Sequence, residues 1–150
     1  MGLSQQVMDA MKVAMKGKNA AALQALRAVK SAILLEQTKS GAKATLSETD
    51  GLKLLQKLVK QRKESAAIYK AQGREDLAGT ELEEAAVIGQ FLPAQLSKTE
   101  IEQLVDQTIA QTGATGMAAM GKVMGIVSGK VAGRADGKTI SGIVKERLSK

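Results

Sequence analysis

The sequence predicts an all-α protein with two helical subdomains, residues 1–92 and 97–150. Apolar residues recur at the three- and four-residue spacing of helices, and no segment alternates with period two over a strand's length. The only proline, Pro93, follows the first subdomain and cannot continue a helix. These observations predict a unit of four helices before Pro93 and a compact unit of three helices after it.

The first two helices are predicted from their capping residues. Ser4 is expected to cap a helix that ends near Gly17, and Asn19 to cap a second helix that ends at Ser40-Gly41. The apolar residues on these helices are Val7, Met8, Met11 and Met15, then Leu23, Leu26, Val29 (or Lys30 in its place) and Ile33.

The third and fourth helices are bounded by equally local signals. Ser47-Glu-Thr-Asp50 resembles a capping box with Asp in place of Glu, and Gly73 suits the position just after a helix. A fourth helix is predicted from Glu75 to Leu92, where Pro93 stops it. The apolar stripe of the third helix is Leu52, Leu55, Leu58 or Val59, Ala66 and Tyr69.

The second subdomain begins at Ser97-Lys-Thr-Glu100, a complete capping box. Its first helix is predicted to end at Gly113, and a glycine-interrupted helix to cover residues 115–131. Asp136 can cap a last helix. Glycines have two predicted roles here: Gly121 and Gly125 allow close helix packing, and Gly133 and Gly137 form the turn before the last helix.

The composition excludes several kinds of chemistry. With no His and no Cys, the chain cannot form a Ser-His or Cys-His nucleophilic pair or an imidazole or thiolate metal site. General acid/base chemistry would fall to Asp, Glu, Lys or Tyr69. We expect no catalytic residue, no metal and no cofactor. No apolar run is long enough to span a membrane and no signal peptide is recognisable, so a cytoplasmic location is expected.

Two glycine-lysine pairs could suggest a phosphate-binding loop. Residues 116–122 fit G-x-x-x-x-G-K, but Val123 stands where Ser or Thr should contact magnesium. Before Gly137-Lys-Thr139, the nearest glycine is one residue too close. Neither match follows a strand, as a P-loop requires, so close helix packing and turns are the preferred interpretation.

Two methionine stripes have the same i, i+3, i+7 spacing on predicted helices. Flexible thioethers can line an adaptable docking groove, but they also fill cores in chains with few aromatic residues, and core packing is the interpretation we favour. The stripes are Met8, Met11 and Met15, and Met117, Met120 and Met124.

The best functional candidate is basic. The net charge is +7, and Lys53, Lys57 and Lys60 share one face of the third helix without balancing carboxylates. We call these three residues the lysine row. Either it is a solvated face, or it contacts the phosphates of a polyanion. Residues 75–106 carry a net charge of −7, which could repel RNA or neutralise the basic helices.

The aromatic content narrows the choice of polyanion. Tyr69 and Phe91 are the only aromatic residues, so the chain lacks the stacking surfaces with which proteins bind single strands. A nucleic-acid partner should therefore be folded RNA that is recognised by its shape and backbone.

Six segments in order and spacing resemble the YqeY family over nearly the whole chain. Residues 28 and 29 are mild departures from the bulkier residues of the family. The six segments are Leu26-Arg-Ala-Val-Lys-Ser-Ala-Ile33, Lys60-Gln-Arg-Lys-Glu-Ser65, Tyr69-Lys-Ala-Gln-Gly-Arg-Glu-Asp-Leu-Ala78, Phe91-Leu-Pro-Ala-Gln-Leu-Ser97, Met120-Gly-Lys-Val-Met124 and Gly133-Arg-Ala-Asp-Gly-Lys138.

The resemblance implies two helical subdomains and kinship with the C-terminal tail of the B subunit of tRNA-dependent amidotransferase, a glutamine-dependent carbon-nitrogen ligase. In that enzyme the tail helps to hold tRNA and the chemistry resides elsewhere. An autonomous ligase would need nucleotide and glutamine sites that these residues do not supply.

The resemblance and the charge pattern together predict a non-catalytic module that binds tRNA or another structured RNA. The alternative is an accessory subunit that docks on an amidotransferase or a synthetase through the acidic fourth helix or the methionine stripes. The candidate phosphate-binding residues are Lys53, Lys57, Lys60, Arg62 and Lys63 in the first subdomain and Lys122, Lys130, Arg134 and Lys138 in the second. In the second, glycines before a helix N-terminus could also present backbone N–H groups to phosphate.

Overall fold

The computed structural model describes residues 2–39 and 46–149 and confirms the all-α fold. In these residues it contains seven α-helices, one 3₁₀ turn and no strand. The predicted helix end at Ser40-Gly41 lies outside the described residues. The helices are α1 (Leu3–Lys16), α2 (Ala20–Lys39), α3 (Glu48–Ala71), α4 (Glu75–Gly89), α5 (Lys98–Thr112), α6 (Met120–Val131) and α7 (Gly137–Leu148).

The helices group into two compact units, Met1–Leu92 and Pro93–Lys150. In the first unit α1 packs on α2, α2 packs on α4, and α3 packs most extensively on α4. Each helix contributes one apolar face to a shared core, as amphipathic helices do in water. The large buried side chains of this core are Val7, Leu26, Val29, Ile33, Leu54, Leu55, Leu58 and Ile88.

Side-chain caps at the starts of α2 and α3 confirm two of the sequence predictions. Asn19 Oδ1 accepts a hydrogen bond from the N–H of Ala22 at 3.1 Å. Ser47 Oγ accepts one from the N–H of Asp50, also at 3.1 Å. The prediction for Ser4 is wrong, because α1 already begins at Leu3 and Ser4 lies inside its first turn.

A complete Schellman motif ends α3. Gly73 has φ +73°, its N–H donates to the carbonyl of Lys70, and the N–H of Arg74 donates to the carbonyl of Tyr69 at 2.8 Å. This arrangement satisfies carbonyl groups that the helix end leaves without intrahelical partners. Because α4 begins at Glu75, the motif reverses the chain within three residues.

The fourth helix is shorter than predicted and ends at Gly89 rather than Leu92. The N–H groups of Phe91 and Leu92 donate to carbonyls three residues back, at 3.2 Å and 3.0 Å, which tightens the end of the helix into a turn. The turn lets both side chains pack against the core of the first unit. Core packing therefore ends the helix before Pro93 can.

In the second unit α5 begins with the predicted capping box. Ser97 Oγ accepts from the N–H of Glu100 at 3.2 Å, and Glu100 Oε1 accepts from the N–H of Ser97 at 3.1 Å. The second bond favours the charged carboxylate and lowers the pKa of Glu100. α5, α6 and α7 surround a separate core, whose larger members are Ile101, Val105, Val123, Val127, Val131, Ile140, Ile143, Val144 and Leu148.

The glycine-interrupted helix begins at Met120 rather than near Thr115. Gly116 has φ +72° and ψ 171°, a backbone conformation that glycine adopts readily and that cannot continue an α-helix, and a 3₁₀ turn at Met117–Ala119 follows it. At the other end Ala132 and Gly133 both have positive φ, which confirms the predicted turn at Gly133. Gly137 is the first residue of α7 rather than part of this turn.

Gly121 and Gly125 do not serve close helix packing, so that prediction is wrong. Both are exposed, and a Cβ built at either position would meet nothing within 4 Å. The buried face of α6 is formed instead by Val123, Val127 and Val131. The glycines lie on the opposite side of the helix.

We expect Gly125→Ala to raise the free energy of unfolding by about 0.5–1 kcal/mol, because alanine loses less backbone entropy in a helix interior. Urea unfolding followed by circular dichroism measures the change. Gly116→Ala adds the same methyl group at φ +72° and should instead destabilise the chain. Destabilisation by Gly125→Ala would mean that the α6 glycines are needed for packing after all.

The methionine stripes are only partly in the cores. Met11, Met120 and Met124 pack against core residues. Met8, Met15 and Met117 are 44, 55 and 44% exposed, so core packing is wrong for these three. In the ranges that the structure describes, no helix is long and apolar enough to cross a membrane.

Candidate nucleic-acid interface

The lysine row lies on the solvent-facing side of α3. Lys53, Lys57 and Lys60 are all exposed, whereas Leu54, Leu55 and Leu58 point to the core. At about 100° per residue, the three lysines fall within an arc of about 60° on the helix. Core packing of the apolar face therefore fixes the direction in which the row points.

Lys63 is also exposed, but it lies about 80° around α3 from Lys53. Among the described residues, none of the ion pairs involves Lys53, Lys57, Lys60 or Lys63. These four ammonium groups form one basic surface of the first unit, on α3; Lys12, Lys16 and Lys30 are exposed on other helices.

Arg62 does not join this surface. It lies nine residues after Lys53, about 180° around the helix, and only 16% of its side chain is exposed. Its Nε is 3.4 Å from Oε2 of Glu84 on α4, and its Nη1 donates to the carbonyl of Leu58 at 3.3 Å. The structure thus places Arg62 between α3 and α4, within a structural ion pair.

The acidic segment neutralises arginines within each unit rather than the lysine row. Glu84 pairs with Arg62 in the first unit, as described above. In the second unit Arg147 is held by Glu102 at 2.7 Å and by Asp106 at 3.6 Å. The described ion pairs of this segment therefore leave the charge of the row in place.

Arg74, at the tip of the α3–α4 turn, is likewise paired. Its Nε and Nη2 donate to the two carboxylate oxygens of Asp76 at 3.2 Å and 3.1 Å. These bonds favour the ionised carboxylate and lower the pKa of Asp76. The charge of Arg74 is therefore balanced locally by Asp76.

Sequence reasoning missed one carboxylate on the basic face. Glu64 is exposed and lies four residues after Lys60, about 20° around α3 from Lys53. Glu64 thus shares the face of the row, but it takes part in none of the ion pairs of the described residues. The i, i+4 spacing from Lys60 is a signal in the sequence that could have identified it.

The four basic candidates of the second unit are in different environments. Lys122 on α6 and Lys138 on α7 are exposed. Lys130 Nζ is 3.4 Å from Thr108 Oγ1 and 3.4 Å from Gln111 Oε1, and Arg134 Nε donates to the carbonyl of Ala94 at 3.0 Å. Lys130 and Arg134 thus take part in contacts that hold their own unit together.

The N-terminus of α7 already holds an anionic side chain. Asp136 Oδ1 accepts from the N–H of Lys138 at 2.7 Å and from the N–H of Thr139 at 3.3 Å. Thr139 Oγ1 donates to the other carboxylate oxygen at 2.7 Å. Asp136 therefore occupies the N–H groups that were expected to receive phosphate, and it confirms the predicted cap.

The surroundings of both G-K segments differ from a nucleotide-binding loop. Gly116 precedes a 3₁₀ turn, and Gly137 follows the Asp136 cap, whereas a P-loop connects a strand to a helix. Within the described ranges, no three Asp or Glu side chains are placed to hold a metal ion. Tyr69 and Phe91 are both half-buried, and Phe91 packs against the core of the first unit.

Residues 4–148 match the sequence profile of the YqeY family, described as Yqey-like protein. The chain belongs to the YqeY family. The YqeY family is related to a subunit of amidotransferase, and at the family level its domain is related to the tail of the B subunit. No curated protein matches the chain.

Membership of the YqeY family covers both units, so the lysine row in the first and the basic residues in the second belong to one family domain. All the basic candidates except Arg62 are exposed. Lys130 and Arg134 make the contacts described above, which leaves Lys53, Lys57, Lys60 and Lys63 in the first unit and Lys122 and Lys138 in the second as the stronger candidates.

Proposed function

We propose that this YqeY-family protein is a non-catalytic module that binds structured RNA, with tRNA as the first candidate, through backbone phosphates. The observation that carries the proposal is the exposed lysine row on a helix whose opposite face is fixed in the core. Three like charges so close together repel each other by a few tenths of a kcal/mol per pair. A polyanion would relieve that repulsion.

The chemistry of lysine favours phosphate over base recognition. An ammonium group is a compact point charge on a flexible stem, suited to phosphate oxygens but not to planar bidentate recognition of a base edge. Tyr69 and Phe91 are the only aromatic residues of the sequence and both are half-buried, so there is little aromatic surface on which unstacked bases could stack. Folded RNA, which presents ordered phosphates, suits this surface better than an extended single strand.

The second unit supports the proposal through Lys122 and Lys138. Both are exposed. The family is related to the tail of an amidotransferase subunit, and the resemblance implies that this tail helps to hold tRNA. Lys130 and Arg134 are weaker candidates, because phosphate would have to compete with the contacts that these side chains make to Thr108, Gln111 and Ala94.

The proposal is tested by measuring the affinity for deacylated tRNA and for duplex RNA of equal length between low and near-physiological salt. Each neutralised phosphate contributes about 0.9 to the slope of log affinity against log salt on a duplex. The lysine row with Lys63 predicts a slope of about −3.6, and Lys122 with Lys138 would add up to about −1.8. A preference for tRNA that persists at near-physiological salt supports the module.

Equal, salt-labile binding to both RNAs would refute it and would reduce the row to a solvated charged face. The salt slope of the variant Lys122→Gln/Arg134→Gln/Lys138→Gln shows whether the second unit contributes to RNA binding. A slope unchanged from the wild type would remove that unit from the interface.

A second candidate function is docking on an amidotransferase or synthetase subunit. The exposed thioethers of Met8 and Met15 favour it, because such side chains adapt to partner surfaces. A pull-down from nuclease-treated extract tests it. Recovery of such a subunit by the wild type, and its loss with Met8→Gln/Met15→Gln, is the supporting result.

A further inference from the structure

We infer that Glu64 and Asp50 confine the lysine row to a short stretch of about three phosphates on one strand, where the RNA backbone bends away from α3. This inference rests on the proposed RNA-binding function and specifies the shape of the RNA that the row accepts.

The length of the row sets the first limit. Lys53 and Lys60 are seven residues apart, which corresponds to about 10 Å along a helix. Phosphates of one strand advance by about 3.4 Å each along a regular duplex. A duplex whose axis runs along the row therefore presents about three phosphates of one strand over this length, one for each ammonium group.

Carboxylates set the second limit, at both ends of the row. Asp50 lies three residues before Lys53 and Glu64 four residues after Lys60, and both are exposed. They fall about 60° and 20° around α3 from Lys53, on the half of the helix that carries the row. A phosphate that continued in line would approach a like charge.

Beyond Glu64, α3 offers no basic residue in line with the row that could offset the repulsion between this carboxylate and phosphate. Ala67 and Ile68 are exposed on the same half of α3, and Ile68 is 58% exposed. The next basic residue of α3, Lys70, lies about 100° away from the direction of the row. A long, straight polyanion would thus pass over a carboxylate and then an apolar side chain, whereas a backbone that turns avoids both.

Glu64→Gln is the informative substitution, because it removes one end charge without touching a core residue. Glu83→Gln on α4 is the matched control, since Glu83 is exposed and the change in net charge is the same. The probes are a short RNA hairpin and a duplex RNA several times longer than the row. For each probe, the affinity of the variant is divided by that of the wild type, so that the number of binding sites per RNA cancels. The two ratios are then compared.

We expect Glu64→Gln to tighten binding of the long duplex about two- to threefold at low salt, the effect of one unit charge roughly 8 Å from a phosphate in water. The hairpin should gain clearly less, and Glu83→Gln should change neither ratio by a comparable factor. Equal gains on both probes, or no gain on the duplex, would overturn the inference.

A different result would refute the proposed function itself. If Lys53→Gln/Lys57→Gln/Lys60→Gln binds both probes as the wild type does, the row is not the RNA site at all. If that variant loses affinity while Glu64→Gln behaves like the Glu83→Gln control, the row binds RNA but its length is not limited by carboxylates.

Discussion

Replacing the lysine row, in the variant Lys53→Gln/Lys57→Gln/Lys60→Gln, should weaken RNA binding by about 2.7 orders of magnitude at about 0.1 M salt. Counterion release contributes about 0.9 decades per neutralised phosphate at that concentration, and the variant removes three such contacts. The slope of log affinity against log salt should become shallower by about 2.7 units for the same reason. Titration of tRNA at several salt concentrations yields both quantities.

The matched control removes three exposed lysines from other helices of the same unit, in the variant Lys12→Gln/Lys16→Gln/Lys30→Gln. Both variants lower the net charge from +7 to +4, so a difference between them reports position rather than total charge. Equal losses of affinity in the two variants would contradict a defined site and indicate non-specific attraction of a basic protein.

The fold should tolerate the loss of the lysine row. All three side chains are exposed, and the replacement relieves like-charge repulsion on α3 worth a few tenths of a kcal/mol per pair. A variant that unfolds at the same urea concentration as the wild type, yet binds RNA weakly, separates the binding role of these lysines from any role in stability.

Local chemistry explains why the ends of several helices could be predicted. The Ser97–Glu100 capping box, the caps of Asn19, Ser47 and Asp136, and the left-handed Gly73 each depend on residues within a few positions of one another. Such bonds form whenever the helix forms, whatever packs against it.

Features that depend on tertiary packing could not be predicted from the sequence in the same way. The exposure of Gly121 and Gly125 follows from which face of α6 meets the core, and the early end of α4 follows from the docking of Phe91 and Leu92. The sequence identifies apolar residues, but in short helices with many small residues several faces are nearly equally apolar.

The candidate site was predicted in part. The lysine row follows from helical spacing alone, and the structure leaves it exposed. Arg62 was grouped with it by proximity in sequence, although nine residues make two and a half turns and place Arg62 on the opposite side of α3. Glu64 was overlooked although it shares the face of the row. The partner of Arg62, by contrast, lies on another helix, which no local pattern indicates.

Arg62→Leu should lower the free energy of unfolding by about 2–4 kcal/mol, because it leaves the buried carboxylate of Glu84 without its counter-charge. The hydrogen bond from Nη1 to the carbonyl of Leu58 is lost as well. Two features place this expected loss towards or below the lower end of the range that is typical when a buried ion pair loses one partner. The side chains keep 16% and 11% exposure, and the buried Nε makes no hydrogen bond.

A double-mutant cycle isolates the ion pair. Arg62→Leu/Glu84→Leu replaces both charges by apolar side chains and should recover much of the stability, since the penalty of an unpaired buried charge disappears. Urea unfolding of the wild type, both single variants and the double variant measures the coupling energy. Additive losses, with no recovery in the double variant, would mean that the two side chains do not interact.

The same variant decides whether Arg62 also contacts RNA. Measured at low temperature, where Arg62→Leu remains folded, its salt slope for tRNA should equal that of the wild type, because Arg62 faces α4 on the side opposite the lysine row. Loss of a true phosphate contact would make the slope shallower by about one unit. A shallower slope in the folded variant would return Arg62 to the interface and require α4 to move aside when RNA binds.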